Sequence, residues 1–207
     1  MIQVHHLNNS RSQRILWLLE ELGLDYELVK HQRDATTNLA PPSLEAVHPL
    51  GKAPVVVDGD AVLIESGAII EYIARKYGKG RLWPVDGTPE ALQHLQLMHY
   101  AEGSAMLPLM LRLYASRLGD AAAPLMPRIE GEMARHLGWL DGLLAGREWF
   151  VGNALRAADV QLSFVIQAGR MLHGLEKLPN LAGFLERIRE RPAFRRSIER
   201  GGPFAFA

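Results

Sequence analysis

The 207-residue chain has no cysteine. Disulfides, thiolate metal sites and a cysteine nucleophile are excluded, so any thiol chemistry must use a sulfur brought in by a ligand. Neither sign of charge is in excess, with Lys plus Arg and Asp plus Glu at 23 each. No overall field draws nucleic acid or an acidic membrane surface, and no nucleic-acid or membrane partner is expected. No apolar run approaches the roughly 20 residues that span a bilayer. The chain enters a strand pattern at once without a signal-peptide profile, so a cytoplasmic protein is expected. Aromatics are few, at 7%, against 48% hydrophobic residues, which suits a helix-rich globular protein with ample core.

Two regimes of patterning divide what remains. Ile2–Leu7 reads as a strand, followed by turn and cap residues Asn8, Asn9 and Ser10. A helix from Arg11 carries Ile15, Leu18, Leu19 and Leu22 on one face and stops at Gly23. Tyr26–Lys30 suits a second strand, and a short helix is expected around Ser43–Val47. Pro54–Val57, an Asp58-Gly59-Asp60 turn and Ala61–Ile64 form a hairpin, after which a helix opens at Ser66 with Ala68, Ile69, Tyr72 and Ile73 apolar. The order is β-α-β-α-β-β-α. A first domain over 1–78 gives way to a Pro- and Gly-rich linker over 79–87 and an all-helical domain over 88–207. Helical patterns there cover Glu90–Leu118, Ala123–Ala145, Ala157–Leu172 and Leu181–Arg189. The arginines from Arg187 to Arg196 read as a solvated helix face with local i,i+4 pairing.

The most informative stretch is His48–Tyr72, HPLGKAPVVVDGDAVLIESGAIIEY. Pro54 cannot donate to a strand ladder and belongs at an edge or turn. Ser66 stands where an N-cap is wanted, with Glu65 beside it; free helix-start amides receive an anion, and a neighbouring carboxylate holds an ammonium. That pair of functions fits a zwitterionic amino-acid head group.

The sequence G-K-A-P-V-V-V-D-G followed by E-S-G-A-I-I-E-Y resembles the glutathione-site segment of the cytosolic glutathione S-transferases, of the serine-type, bacterial-like kind. The resemblance implies a thioredoxin-like α/β N-terminal domain followed by an all-α helical-bundle C-terminal domain. It further implies a cis Ala53-Pro54 bond, backbone pairing of Ala53 with the cysteinyl unit of glutathione, and Glu65 and Ser66 on its γ-glutamyl end. Lys52 is a candidate for a ligand carboxylate, with Arg11 and Arg33 weaker candidates. Glu102 would reach the ammonium of glutathione in a neighbouring subunit of a homodimer. Gly67 stands where some serine-type members carry an arginine. The stretch from Glu148 to Asp159 resembles the family's buried helix-start motif, but the usual Ser or Thr cap is replaced by Arg156, whose guanidinium cannot accept. Loss of that cap costs about 1 kcal/mol unless Asn153 or a water substitutes.

The implied function is conjugation of the glutathione thiolate, as co-substrate, to apolar small-molecule electrophiles, without a metal. A disulfide reductase or peroxidase on the same site, and a non-catalytic ligand-binding member of the fold, are the alternatives. Counting four residues back from Arg14 makes Ser10 the implied thiol activator, with the Asn8 and Asn9 amides and Ser12 as alternatives. His5 and His6 occupy the place of the tyrosine used by other classes, and a strand-end histidine is more often structural than catalytic. Met106, Met110 and Tyr114, four apart on one helix, are candidate lining for the electrophile.

Overall fold

A computed structural model describes residues 1–206. Two compact units are present: one holds residues 1–83 and 189–205, the other residues 84–188 with Phe206.

The first unit runs β1 (Ile2–Leu7), α1 (Ser12–Leu22), β2 (Tyr26–His31), α2 (Pro42–Glu45), β3 (Val55–Asp58), β4 (Ala61–Leu63) and α3 (Ser66–Tyr77). This is the expected β-α-β-α-β-β-α order. The sheet is ordered β2-β1-β3-β4; β1 pairs parallel with β2, and the other pairs are antiparallel. Side chains alternate across β1, so His6 shares a face with Ile2 and Val4 while His5 shares the opposite face with Gln3. Gly23 ends α1 in the left-handed region, at φ 65°, and its amide returns to the Glu20 and Leu19 carbonyls.

Three local expectations are corrected. Ser66 is the first helical residue of α3, and Glu65 occupies the N-cap position. The buried face of α3 is Ser66, Ile69, Ile70, Ile73 and Ala74, leaving Ala68 exposed; the spacing was read correctly but the face is turned. The third concerns the arginine-rich end, where α9 (Pro192–Gly201) lies against α1 within the first unit. Trp17 meets Phe194 edge to face at 5.4 Å, and the Gln13 side chain donates to Ser197 at 3.0 Å. Arg191 forks onto both Glu21 carboxylate oxygens, at 2.5 and 2.9 Å, and Arg196 donates to Glu20 at 2.8 Å. Arg200 stacks 3.8 Å above the Tyr26 ring. These arginines therefore pair across the unit, far from their sequence neighbours. Burial pushes the Glu20 carboxyl upward, but hydrogen bonds from Arg196 and Tyr26 and the charge of Arg200 bring it below its ordinary range. Because both sides of α1 are covered, even Arg14 is buried on it.

The second unit is helical. It contains α4 (Pro89–Tyr100), a π-helical turn (Ala101–Ala105), α5 (Met106–Ala115), a 3-10 segment (Ser116–Ala122), α6 (Met126–Leu143) and α7 (Ala157–Leu172), and α8 (Pro179–Glu190) through Ile188. The single pattern over Glu90–Leu118 is thus broken in the middle. Pro108 explains the break: its ring clashes with the carbonyl four residues back, Ser104, and the widened turn lies immediately there. No helix among the described residues is long and apolar enough to cross a membrane.

Candidate active site

Three chain segments meet at one end of the sheet. The antiparallel register of β1 with β3 ends at His5 opposite Val55, and continuing it by two residues brings Ala53 opposite Leu7. The Ala53-Pro54 bond there is cis, as expected. Leu7, Leu44 and Val55 form a small buried cluster, against which Ala40, Val47, Ala53 and Ile64 pack. That cluster fixes the end of β1, the turn before β3 and the turn before α3 together. Ser10, Ala53-Pro54 and Glu65-Ser66 follow directly from it.

At the first segment the chain turns sharply, with Asn9 at φ 50°, before α1 begins. Ser10 is buried, and its Oγ accepts from the Ser12 amide at 3.2 Å, a local serine turn. The Ser10 and Ser12 hydroxyls lie 2.7 Å apart. Ser12 Oγ in turn lies 2.9 Å from His6 Nδ1, accepts from the Leu7 amide at 3.2 Å, and is 3.3 Å from the Leu7 carbonyl. Burial, reinforced by the charges of Lys30 and His31, lowers His6 to about 4, so its ring is neutral near pH 7. His5 faces the other way, 3.1 Å from His31, which reaches Ser43 at 3.0 Å. The Asn8 side chain accepts from the Arg33 amide at 2.8 Å, and the Arg33 guanidinium donates to the carbonyls of Asn8 and Asn38. Arg33 thus ties its own loop to the turn that follows β1.

At the third segment Glu65 holds φ 65° and ψ 113°, a conformation L residues rarely adopt, and gives α3 no side-chain cap. Its side chain is exposed, while Ser66 behind it is buried. Lys52 is exposed, just before Ala53. The far end of α3 is tied down: Asp58 accepts from Tyr72 at 2.9 Å, Lys76 at 2.8 Å and Tyr77 at 2.5 Å.

The remaining candidates belong to the second unit. Glu102 lies half-buried on the π-helical turn. Along α5 the three apolar candidates differ in exposure: Met106 is buried, Met110 intermediate and Tyr114 exposed. Among the described residues no group of three or more His, Asp or Glu side chains is arranged to hold a metal ion.

The start of α7 shows what replaces the missing cap. Asp159 is wholly buried and accepts from the Phe150 amide at 2.8 Å and the Arg156 amide at 2.6 Å. Burial pushes its carboxyl up to about 7 against the pull of those amides. The cap oxygen that Arg156 cannot supply is replaced from another helix: His94 Nε2, buried on α4, accepts from the Ala158 amide at 3.1 Å. Neither Asn153 nor a water is needed for it. Nothing in the local sequence around Arg156 signals a partner 64 residues away.

Residues 1–75 match the model for the glutathione S-transferase N-terminal domain, and residues 104–192 that for the C-terminal domain. The chain belongs to the glutathione S-transferase family. Glutathione S-transferase 3 of Schizosaccharomyces pombe is 34% identical, over 97% of this chain and 88% of the relative. A crystal structure of a glutathione S-transferase from Actinobacillus pleuropneumoniae superimposes with a TM-score of 0.91 at 35% identity, covering 100% of this chain and 95% of that one. A family member from Pseudomonas fluorescens, solved with two glutathione molecules bound, gives a TM-score of 0.81 at 28% identity, over 96% and 92% of the two chains. The family also assigns the architecture, a thioredoxin-like unit joined to a helical one. The candidate network that simple spacing did not reveal is the one linking Ser10 to Ser12 and His6. Strand parity held the signal, since an even-numbered residue of β1 faces the same side as α1.

Proposed function

We propose that this glutathione transferase binds glutathione at the sheet end formed by Ser10, Ala53-Pro54 and Glu65-Ser66, and holds its sulfur as a thiolate for attack on apolar electrophiles. The meeting of those three segments around the Leu7–Leu44–Val55 cluster carries the reading. The backbone at Ala53 pairs with the cysteinyl unit. Glu65 and the start of α3 take the γ-glutamyl ammonium and carboxylate, and Lys52 takes the glycyl carboxylate. Ser10 donates to the sulfur. A free thiol has a pKa of about 8.5, and lowering it by about two units takes roughly 2.7 kcal/mol of thiolate stabilisation. One hydroxyl hydrogen bond and the start of α1 together supply that amount. This makes the chain a serine-type member.

The finer features follow the same reading. Met106, Met110 and Tyr114 line the electrophile site, with residues 1–78, on which α9 packs, binding glutathione and the helices from residue 88 to residue 188 binding the electrophile. The chain works in the cytoplasm as a homodimer, with Glu102 of one subunit reaching the glutathione ammonium of the other. A second reading, glutathione-dependent disulfide reduction, draws on the Pseudomonas fluorescens relative that holds two glutathione molecules. Rates against a dithiol-forming disulfide and a chlorinated aromatic separate the two.

The test is Ser10→Ala, followed by thiolate absorbance of bound glutathione against pH. Removing one hydrogen bond to a charged sulfur costs about 1.5–3 kcal/mol. The expected result is a raised thiol pKa and a rate near neutral pH lowered roughly ten- to a hundredfold, recovered in part at higher pH. An unchanged titration moves the role to the Asn8 or Asn9 amides or to Ser12.

A further inference from the structure

The hydrogen bonds behind Ser10 impose a condition on its donating to sulfur, and the inference drawn from them rests on the reading just proposed. A serine hydroxyl has one proton to give. Ser10 Oγ and Ser12 Oγ are 2.7 Å apart, so one of the two protons lies between them. If it belongs to Ser10, Ser10 has nothing left for the sulfur. Ser10 can donate outward only when Ser12 supplies that proton. Ser12 then has none for its other neighbours, and the 2.9 Å contact with His6 must be made by a proton on His6 Nδ1. The Leu7 amide already donates to Ser12 and does not alter this count. The longer 3.3 Å bond from Ser12 to the Leu7 carbonyl is given up when the Ser12 proton turns to Ser10.

We infer that His6 is a positioning residue for the reaction: in the glutathione complex its Nδ1–H donates to Ser12, Ser12 donates to Ser10, and Ser10 donates to the thiolate. The chain of donors turns the Ser10 proton outward, and each bond polarises the next. His6 touches neither substrate nor sulfur. The surroundings of the ring suit this role. His6 is buried, and a Cβ placed on Gly201 of α9 would come within 3.4 Å of His6 Cε1, 3.0 Å of a Leu16 methyl and 2.7 Å of Gln13 Oε1. The ring is thus packed by the two helices that cover its face of the sheet. His6 is not the acceptor of the thiol proton, because burial, and then the charges of Lys30 and His31, leave its ring too weak a base to hold one near pH 7. The proton lost by glutathione goes to water, and no proton leaves the relay.

The test uses the full chain with glutathione. Nitrogen NMR of His6 in the wild type is expected to show the proton on Nδ1 in the complex; a proton on Nε2 alone would overturn the inference. His6→Leu is expected to raise the pKa of the bound thiol by about one unit and lower kcat roughly tenfold near neutral pH, with KM for glutathione nearly unchanged. His6→Asn, whose amide N–H stands close to the position of Nδ1, is expected to restore most of both. A His6→Leu titration that matches wild type, or an Asn variant as impaired as Leu, sinks the relay. If Ser10→Ala shifts the titration while His6→Leu does not, the relay alone is wrong. If Ser10→Ala shifts nothing, the serine reading falls and the relay falls with it.

Discussion

Helices α3 and α7 both begin without a side-chain cap from their own N-cap residue, and the two starts are finished in opposite ways. At α7 the protein closes the end itself. Asp159 gathers the amides of Phe150 and Arg156, and His94 takes that of Ala158, with both accepting side chains buried. At α3 the N-cap is Glu65, held at a positive φ with its carboxylate exposed, and no oxygen of that side chain folds back onto the helix. Strained backbone persists only where the surroundings over-determine it, and here Glu65 directly follows Ile64, which packs against a buried cluster. A sealed helix start stabilises the fold. One whose carboxylate is left exposed keeps its polar capacity, and on the proposed reading that capacity serves glutathione.

The contrast predicts opposite phenotypes. Asp159→Asn turns one buried acceptor into a donor facing a backbone N–H, and is expected to cost about 3 kcal/mol of stability. Urea unfolding measures this, and glutathione affinity of the folded protein should stay the same. Glu65→Gln reverses the pattern: unfolding is unchanged, while glutathione binding weakens by about 2 kcal/mol, roughly thirtyfold in Kd. Its kcat at saturation should hold, because on the proposed reading Glu65 holds the ammonium equally in ground and transition states. A stability loss in Glu65→Gln, or a binding loss in Asp159→Asn, would dissolve the distinction. His94→Phe should cost about 1 kcal/mol by urea unfolding, the usual value of a helix cap. His94→Gln, which keeps an acceptor, should cost less.

The smallest effect concerns the far end of α3. Hydrogen bonds from Lys76, then Tyr77 and Tyr72, lower Asp58 from 3.8 to about 2. A carboxyl whose folded pKa is depressed contributes stability above its unfolded pKa and loses it as pH falls through the folded one. The contribution is therefore lost between about pH 4 and about pH 2. Asp159 has the opposite sign: its folded pKa is raised to about 7, so its contribution falls as pH rises from about 4 to about 7. Urea midpoints followed across both windows should lose the acid limb in Asp58→Asn and the upper slope in Asp159→Asn.

Much of this was legible in the residues because it is written locally. The strand and helix periods and the stop at Gly23 depend on neighbours a few positions away, whereas the cis proline is implied by the family resemblance of its segment. The features that escaped depend on distant partners. The face of α3 is set by what packs on it. The break before Pro108 is an exception, since a proline four residues after Ser104 is a local signal that the apolar period over Glu90–Leu118 masks. His94 caps a helix that begins 63 residues later, a relation no window around Arg156 contains. The arginines of α9 illustrate the same limit. Their spacing permits local pairing with Glu186 and Glu190, and only the folded chain shows Arg191 and Arg196 on Glu21 and Glu20.

That pairing also sets an order of events during synthesis. The bonds from α9 to α1 join residues 170 to 184 positions apart. Residues 1–83 leave the ribosome long before Pro192–Gly201 exist, so α1 must wait with the Trp17 and Gln13 side of its surface uncovered. Contacts so remote in sequence form late and leave apolar surface open in the meantime. The half of the protein made first is the half finished last. A nascent chain stalled before residue 192 should bind chaperone through that uncovered helix and release it once α9 emerges.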